Sequence, residues 1–184
     1  MDKFRALLND LGDALDNNSI TTEAAARQVA EHIQQRLNCA RVTMWVCEGA
    51  PGARVMRRVG FHDAQIDAVA SDGLIQLHEP DCGQYFGDLQ RNSILVCNDV
   101  GNERRLGRMV PLYLQPAGFT AFADAAVGVN GSLWGMVSCS QRGEPRRFSA
   151  AEVGLVKRYA DAISLRRAQR RMRDAEGFNL IRKT

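Results

Sequence analysis

The stretch NGSLWGMVSCSQRGEPRRFSAAE, Asn130 to Glu152, decides the reading of the fold. Its Asn130-Gly131 pair is the strongest turn signal in the chain, because Asn and Gly tolerate the left-handed backbone that a two-residue hairpin loop demands. The flanking segments TAFADAAVGV and SLWGMVSCS therefore read as paired antiparallel strands. Two-residue alternation puts Trp134, Met136 and Ser138 on one face of the second strand and Leu133, Gly135, Val137 and Cys139 on the other. Beyond the strand, Ser149 with Glu152 three residues on has the spacing of a capping box, so a helix begins there. That helix runs past Arg171 with neither Gly nor Pro after Gly154. Its apolar positions, Leu155, Val156, Tyr159, Ala160, Ala162, Ile163 and Leu165, form a stripe too wide for one contact. One side suits the sheet and the other a partner helix.

Working back toward the N-terminus, Phe4, Leu7, Leu8, Leu11, Ala14 and Leu15 recur at three- and four-residue steps, the seam of a first helix that wants a partner. DNNSITTE interrupts it, and Thr21 or Thr22 caps a second helix through Leu37 with Ala26, Val29, Ala30, Ile33 and Leu37 buried. From Arg41 the period changes to two. ARVTMWVCE places Val42, Met44 and Val46 on one face and Thr43, Trp45 and Cys47 on the other, so both faces are covered. GAPG turns it into ARVMRRVGF, a second strand. His62 to Cys82 is polar and weakly periodic and reads as loop or short helix. DCGQYFGDLQRN is a short helix with Tyr85, Phe86 and Leu89 on one side. SILVCNDV is a strand ending at Asn98-Asp99, and a helix around Met109 to Leu114 stops at Gly118.

Composition bounds the class. The chain has 184 residues, 45% hydrophobic and 24% charged, as a globular domain with short additions would. No apolar run approaches the ~20 residues of a membrane span, and the acidic amphipathic opening lacks a signal-peptide core, so the chain reads as cytoplasmic. Five scattered cysteines without C-x-x-C and three separated histidines predict neither a metal site nor a disulfide framework. The net charge of +3 is unremarkable, but from Lys157 to Arg173 seven basic residues face only Asp161. With no aromatic among the late arginines and no DNA-binding motif, this run reads as the solvated face of a helix, and no nucleic acid is expected as partner.

Three segments in order resemble the GAF domain, a small-molecule sensor fold related to the PAS domain. ILVCNDVGNERR resembles the family's strand ending in an Asp-containing turn, YLQPAGFTAFADAAVGVNGSLWGMVSCS its strand hairpin, and RRFSAAEVGLVKRYADAIS its closing helix. The resemblance covers Thr21 to Leu165. A narrower one, to bacterial GAF domains upstream of diguanylate cyclase or histidine kinase modules, rests on Tyr85, Phe86, Leu89, Ile94, Asp99, Tyr113, Leu114 and Gly118. In that group the last strand often carries a histidine-containing run, where this chain has Ser138, Cys139, Ser140 and Gln141. The departure removes imidazole contacts at that strand.

The resemblance implies an α+β fold: a central antiparallel sheet of five to six strands, helices on both faces, and long terminal helices. Residues 1–20 are expected to form a dimerisation or signalling helix, 21–165 the GAF domain, and 166–184 a basic helical extension or linker. The ligand cavity is expected among Tyr85, Phe86, Asp99, Tyr113, Phe122, Asp124, Trp134, Met136 and Ser138, with no catalytic residue. Each has a plainer reading: the aromatics as core, Asp99 as a turn or cap residue. Neither a cofactor nor the ligand is specified by any motif. The function expected is a regulatory sensor acting as a homodimer through its terminal helices on an output domain in cis or trans. The alternatives are a ligand-free dimerisation module and a free methionine sulfoxide reductase-like enzyme, which would need a reactive thiolate near the cavity at Cys82 or Cys97.

Overall fold

The computed structural model describes residues 1–65, 75–82 and 84–181, the last eight of these by backbone alone. Six strands form one fully antiparallel sheet: β1 (Arg41–Glu48), β2 (Val55–Asp63), β3 (Gln76–His78), β4 (Ile94–Cys97), β5 (Phe119–Val127) and β6 (Gly135–Arg142). Their order across the sheet is β3-β2-β1-β6-β5-β4. The two central strands thus come from opposite ends of the chain. Three helices cover one face: α1 (Asp2–Asp16), α2 (Thr22–Leu37) and α4 (Ala150–Ile181). The other face carries α3 (Tyr85–Asn92), two 3-10 turns at Val100–Asn102 and Arg104–Leu106, and a π-helical turn at Val110–Leu114. The α+β architecture with helices on both faces is as expected.

Local chemistry sets the boundaries. Thr21 caps α2 by accepting the Ala24 amide at 3.2 Å. At the start of α4 the Ser149 amide and hydroxyl both donate to Glu152 Oε2 at 2.8 Å, while Ser149 Oγ accepts the Glu152 amide at 3.3 Å, a reciprocal capping box. Arg146 joins the two helices: it donates to the Leu37 and Asn38 carbonyls at the end of α2 and to the Glu152 carboxylate in α4. Asn130 and Gly131 both adopt positive φ, 50° and 75°, in the hairpin loop between β5 and β6.

Both faces of β1 are covered, as its alternation predicts. Val42 and Met44 join the core under the helices with Val137, Cys139, Val156, Tyr159 and Ala160. Trp45 joins the opposite core with Tyr85, Phe86, Tyr113, Phe122 and Met136. Two expectations are corrected. The His62 to Cys82 segment, part of which lies outside the described residues, contains the edge strand β3, three residues that pair Val55 to Arg57. Its shortness hid it, since no periodicity registers over three residues. The α1 seam is also not left bare. Phe4 is buried against His32 and Tyr159, at ring-centre distances of 5.2 and 4.5 Å, and Leu11 is buried too, so part of the seam finds its partner within the chain.

An ion-paired cluster, unpredicted because its members lie far apart in sequence, fixes the end of the sheet. Asp63 accepts from Arg41 at 2.6 Å and from both terminal nitrogens of Arg142, at 3.0 and 2.7 Å. Burial alone would raise its carboxyl, but bonds from Arg142, the Gln65 amide and Arg41 hold it at about 2. Both guanidinium groups also lie over the Phe119 ring, at 5.5 and 5.0 Å.

Candidate functional site

On the face opposite the long helices, register aligns a row of polar side chains across the middle of the sheet. Thr43 of β1 pairs with Ser138 of β6, and Ser138 pairs with Asp124 of β5. All three are buried. Apolar residues flank this row, because each strand alternates and the same face carries Trp45, Phe122 and Met136. Helix α3 lays Tyr85 across it. Tyr85 donates its hydroxyl to Asp124 Oδ2 at 2.5 Å and lies 3.0 Å from the Met136 sulfur. The π-helical turn adds Tyr113, whose ring meets Trp45 edge-on at 5.3 Å and Phe119 at 5.7 Å.

The row is not saturated. Asp124 Oδ1, Thr43 Oγ1, Tyr113 Oη and Trp45 Nε1 are buried without a hydrogen bond of normal geometry. The Thr43 hydroxyl lies near enough to Tyr113 to favour its ionised form, yet burial dominates and pushes that phenol up to about 12. Burial likewise raises the Asp124 carboxyl to about 7, against the opposing influence of the Ser138 and Tyr85 hydroxyls. Thr43 and Tyr113 thus lie within reach of each other, as do Ser138 and Asp124, so the row is buried and only loosely bonded. A polar group left wholly unpaired inside a protein costs ~1–3 kcal/mol. The void bordering Tyr85, Phe122 and Cys97 measures about 30 Å³, room for about one water.

Of the nine residues expected at the cavity, the structure brings together Tyr85, Phe86, Tyr113, Phe122, Asp124, Met136 and Ser138. Asp99 stands apart. Its carboxylate caps a 3-10 turn, accepting from the Gly101 amide at 3.0 Å and from the Asn102 side chain at 2.6 Å. Trp134 also lies elsewhere, against Arg167 and Arg171 of α4, whose guanidinium carbons sit 5.5 and 5.2 Å from its ring centre. Strict alternation fails just before β6. Leu133 packs with the same cluster as Met136 three residues later, and the β1 backbone comes so close to Gly135 that an added Cβ would lie 2.0 Å from the Trp45 carbonyl oxygen. Thr43 and Trp45 were missed as site residues. The signal was their shared face on the first strand. Cys139 lies under α4, as its place in the strand pattern indicates, within hydrogen-bonding reach of Cys39.

The GAF domain family matches residues 21–166, and the chain belongs to that family. Its fold is similar to that of the blue-light absorbing form of the PixJ GAF domain of Thermosynechococcus elongatus, at 18% identity and a TM-score of 0.65, over 84% of this chain and 90% of that one. The phycocyanobilin-bound GAF domain of a cyanobacterial phytochrome is similar at 16% identity and TM-score 0.67, covering 90% of this chain and 94% of its own. A far-red cyanobacteriochrome photoreceptor is similar at 14% identity and TM-score 0.67, with 88% and 94% covered. A sequence comparison with curated proteins found no match. Among the described residues no helix is long and apolar enough to cross a membrane.

Proposed function

We propose that this GAF domain is a regulatory sensor that binds a small polar molecule at Asp124, Tyr85, Tyr113, Thr43 and Ser138 and relays occupancy to its terminal helices. The observation that carries this reading is the loosely bonded polar row: buried hydroxyl and carboxylate groups side by side across three strands, under a short helix and a π-helical turn. A ligand that supplies the missing partners is stabilised by them, and it displaces α3 or the π-helical turn to gain room. Bilin binding belongs to structural neighbours under 25% identical and is not carried over to this chain.

Two connections supply the relay. Gln90 of α3 accepts from Arg54 at 2.6 Å and donates to the Gly131 carbonyl at 2.5 Å, tying α3 to the hairpin loop that precedes Trp134. At the other end, Asn98 accepts the Phe148 amide at 3.2 Å, tying the end of β4 to the start of α4. Coupling requires that the ligand prefer one helix arrangement over another, typically by ~1–3 kcal/mol. The terminal helices dimerise through the outer groove between α1 and α4, where Leu165 is 56% exposed and Leu8 and Ala162 line an open trough.

A second reading, a ligand-free dimerisation module, is favoured by how closely the row is covered: Tyr85, Phe86, Tyr113 and Phe122 are all buried over it, and Tyr85 already bonds Asp124. An enzyme is disfavoured, because burial pushes both Cys82 and Cys97 up to about 11, the opposite of a reactive thiolate. Mass spectrometry of small molecules retained under native conditions tests the sensor reading, with Tyr113→Phe and Asp124→Asn as variants. Retention of one compound, lost in either variant, supports it. An empty protein whose unfolding temperature no metabolite shifts leaves the dimerisation module. Light scattering should give twice the chain mass, and Leu165→Asp should halve it.

A further inference from the structure

A sizeable unfilled space lies on the other side of the sheet. Phe4 anchors the start of α1 against His32 and Tyr159 and Leu11 is buried further along, but α1 leaves a space bordered by Leu8, Leu11 and Leu15 unfilled. A cleft of about 380 Å³ remains, walled by Leu8, Leu15, Val29, Val59, Val127 and Ile163. That volume falls in the ~300–1,000 Å³ range of small-molecule sites, and its walls are those of a hydrocarbon guest. Its rim is cationic: Arg57, Arg166, Arg167 and Arg170 line it.

The arginines are not equivalent. Arg166 reaches Asp13 at 3.5 Å, lying where a side chain on Gly12 would collide with it, and Arg170 pairs with Asp16 at 2.7 Å. Arg57 meets Glu48 at 3.5 Å. Arg167 and Arg171 instead lie against the Trp134 ring, Arg167 also donating to the Trp134 carbonyl at 3.2 Å, and among the described residues no carboxylate lies within ion-pair distance of either. Glu48 attracts Arg167 from further off, while partial burial and the neighbouring Arg171 charge weaken its hold on its proton. Arg167 lines the mouth of the cleft and Arg171, one helical turn further out, shares the Trp134 ring with it, so two like charges stand side by side next to an apolar cleft. Such a pair calls for an anion, and a guanidinium presents paired donors to a carboxylate. The aromatic that the arginine run lacks in sequence is supplied by the hairpin.

We propose that this cleft is a second binding site, distinct from the polar row, for a small anionic amphiphile: its acyl chain lies between α1 and the sheet, and its carboxylate meets Arg167 and Arg171. An occupant there would brace α1 against α4.

Dodecanoate, titrated calorimetrically below its micelle concentration into the full chain, tests this. One molecule should bind per chain. Arg167→Gln with Arg171→Gln should weaken binding at least tenfold, and Val59→Phe, which fills the cleft, should weaken it as much while the charges remain. Asp124→Asn should leave it unchanged, which separates this site from the polar row. Dodecyltrimethylammonium should bind far more weakly. Equal binding of the cationic surfactant, indifference to both sets of substitutions, or no binding would overturn the proposal. So would binding to phosphatidylglycerol vesicles without binding of monomeric dodecanoate, which indicates a membrane surface, or dodecanoate binding that appears only when a dimer is diluted apart, which indicates a second copy in the cleft. Circular dichroism of each variant excludes a folding defect as the cause.

Discussion

Replacing Asp124 with Asn removes a titrating group from the interior while keeping an oxygen to accept from Tyr85. Burial raises the wild-type carboxyl from 3.8 to about 7, so the folded protein holds this proton more tightly than the unfolded chain does. The stability that Asp124 contributes is therefore complete below about pH 4 and is lost as pH rises through about 7. The displacement corresponds to ~4 kcal/mol at most, taking 1.36 kcal/mol for each factor of ten in proton affinity. Asn carries no proton to lose. Urea unfolding of both proteins at about pH 4, pH 6 and pH 8 isolates the effect, since every other titrating group appears in both and cancels in the difference. The variant should gain on the wild type progressively, by up to ~4 kcal/mol, between the acid and alkaline ends. A difference that stays flat with pH would refute the reasoning, because it would mean that Asp124 ionises in the folded protein as it does in water.

Other substitutions probe the scaffold. Ser149→Ala removes one half of the capping box on α4 and should cost ~1 kcal/mol in chemical denaturation, with the loss confined to that helix in hydrogen exchange. Asp63→Asn leaves Arg41 buried without its counter-charge and should cost ~3–5 kcal/mol. Because Asp63 is held at about 2, its stabilisation is present above 3.8 and lost as pH falls through 2, so acid unfolding curves of the variant should be shallower there. Gly135→Ala forces a methyl toward the Trp45 carbonyl and should cost at least ~1–3 kcal/mol in thermal unfolding.

Much of this arrangement is written in local pattern. The Thr21 cap, the Ser149 and Glu152 box, the two-faced β1 and the Asn130-Gly131 turn are each decided by a few neighbouring residues, and sequence spacing resolves them. The aromatic and acidic members of the polar row follow from alternation once the strands are placed. What sequence could not provide is contact between distant segments. Asp63 and Arg142 are neighbours only because β1 lies between β2 and β6. Trp134 turns toward α4 and meets Arg167 and Arg171 there, and Asp99 spends its oxygens on its own turn. The partner of Phe4 lies partly at Tyr159, near the other end of the chain.

The placement of β1 beside β6 bears on how the protein is made. A chain emerging from the ribosome presents β1 with β2 on one flank and nothing on the other, and the missing neighbour is among the last strands synthesised. Until then Val42, Met44, Trp45 and Val46 lie along an open strand edge, the kind of template on which nascent chains aggregate. A truncation before Gly135 should leave that edge permanently open and yield insoluble product. The polar row inherits the same timing: Thr43 waits for Ser138, and Asp124 gains its neighbour in the same step. A translation product that stalls before β6 therefore has no assembled site.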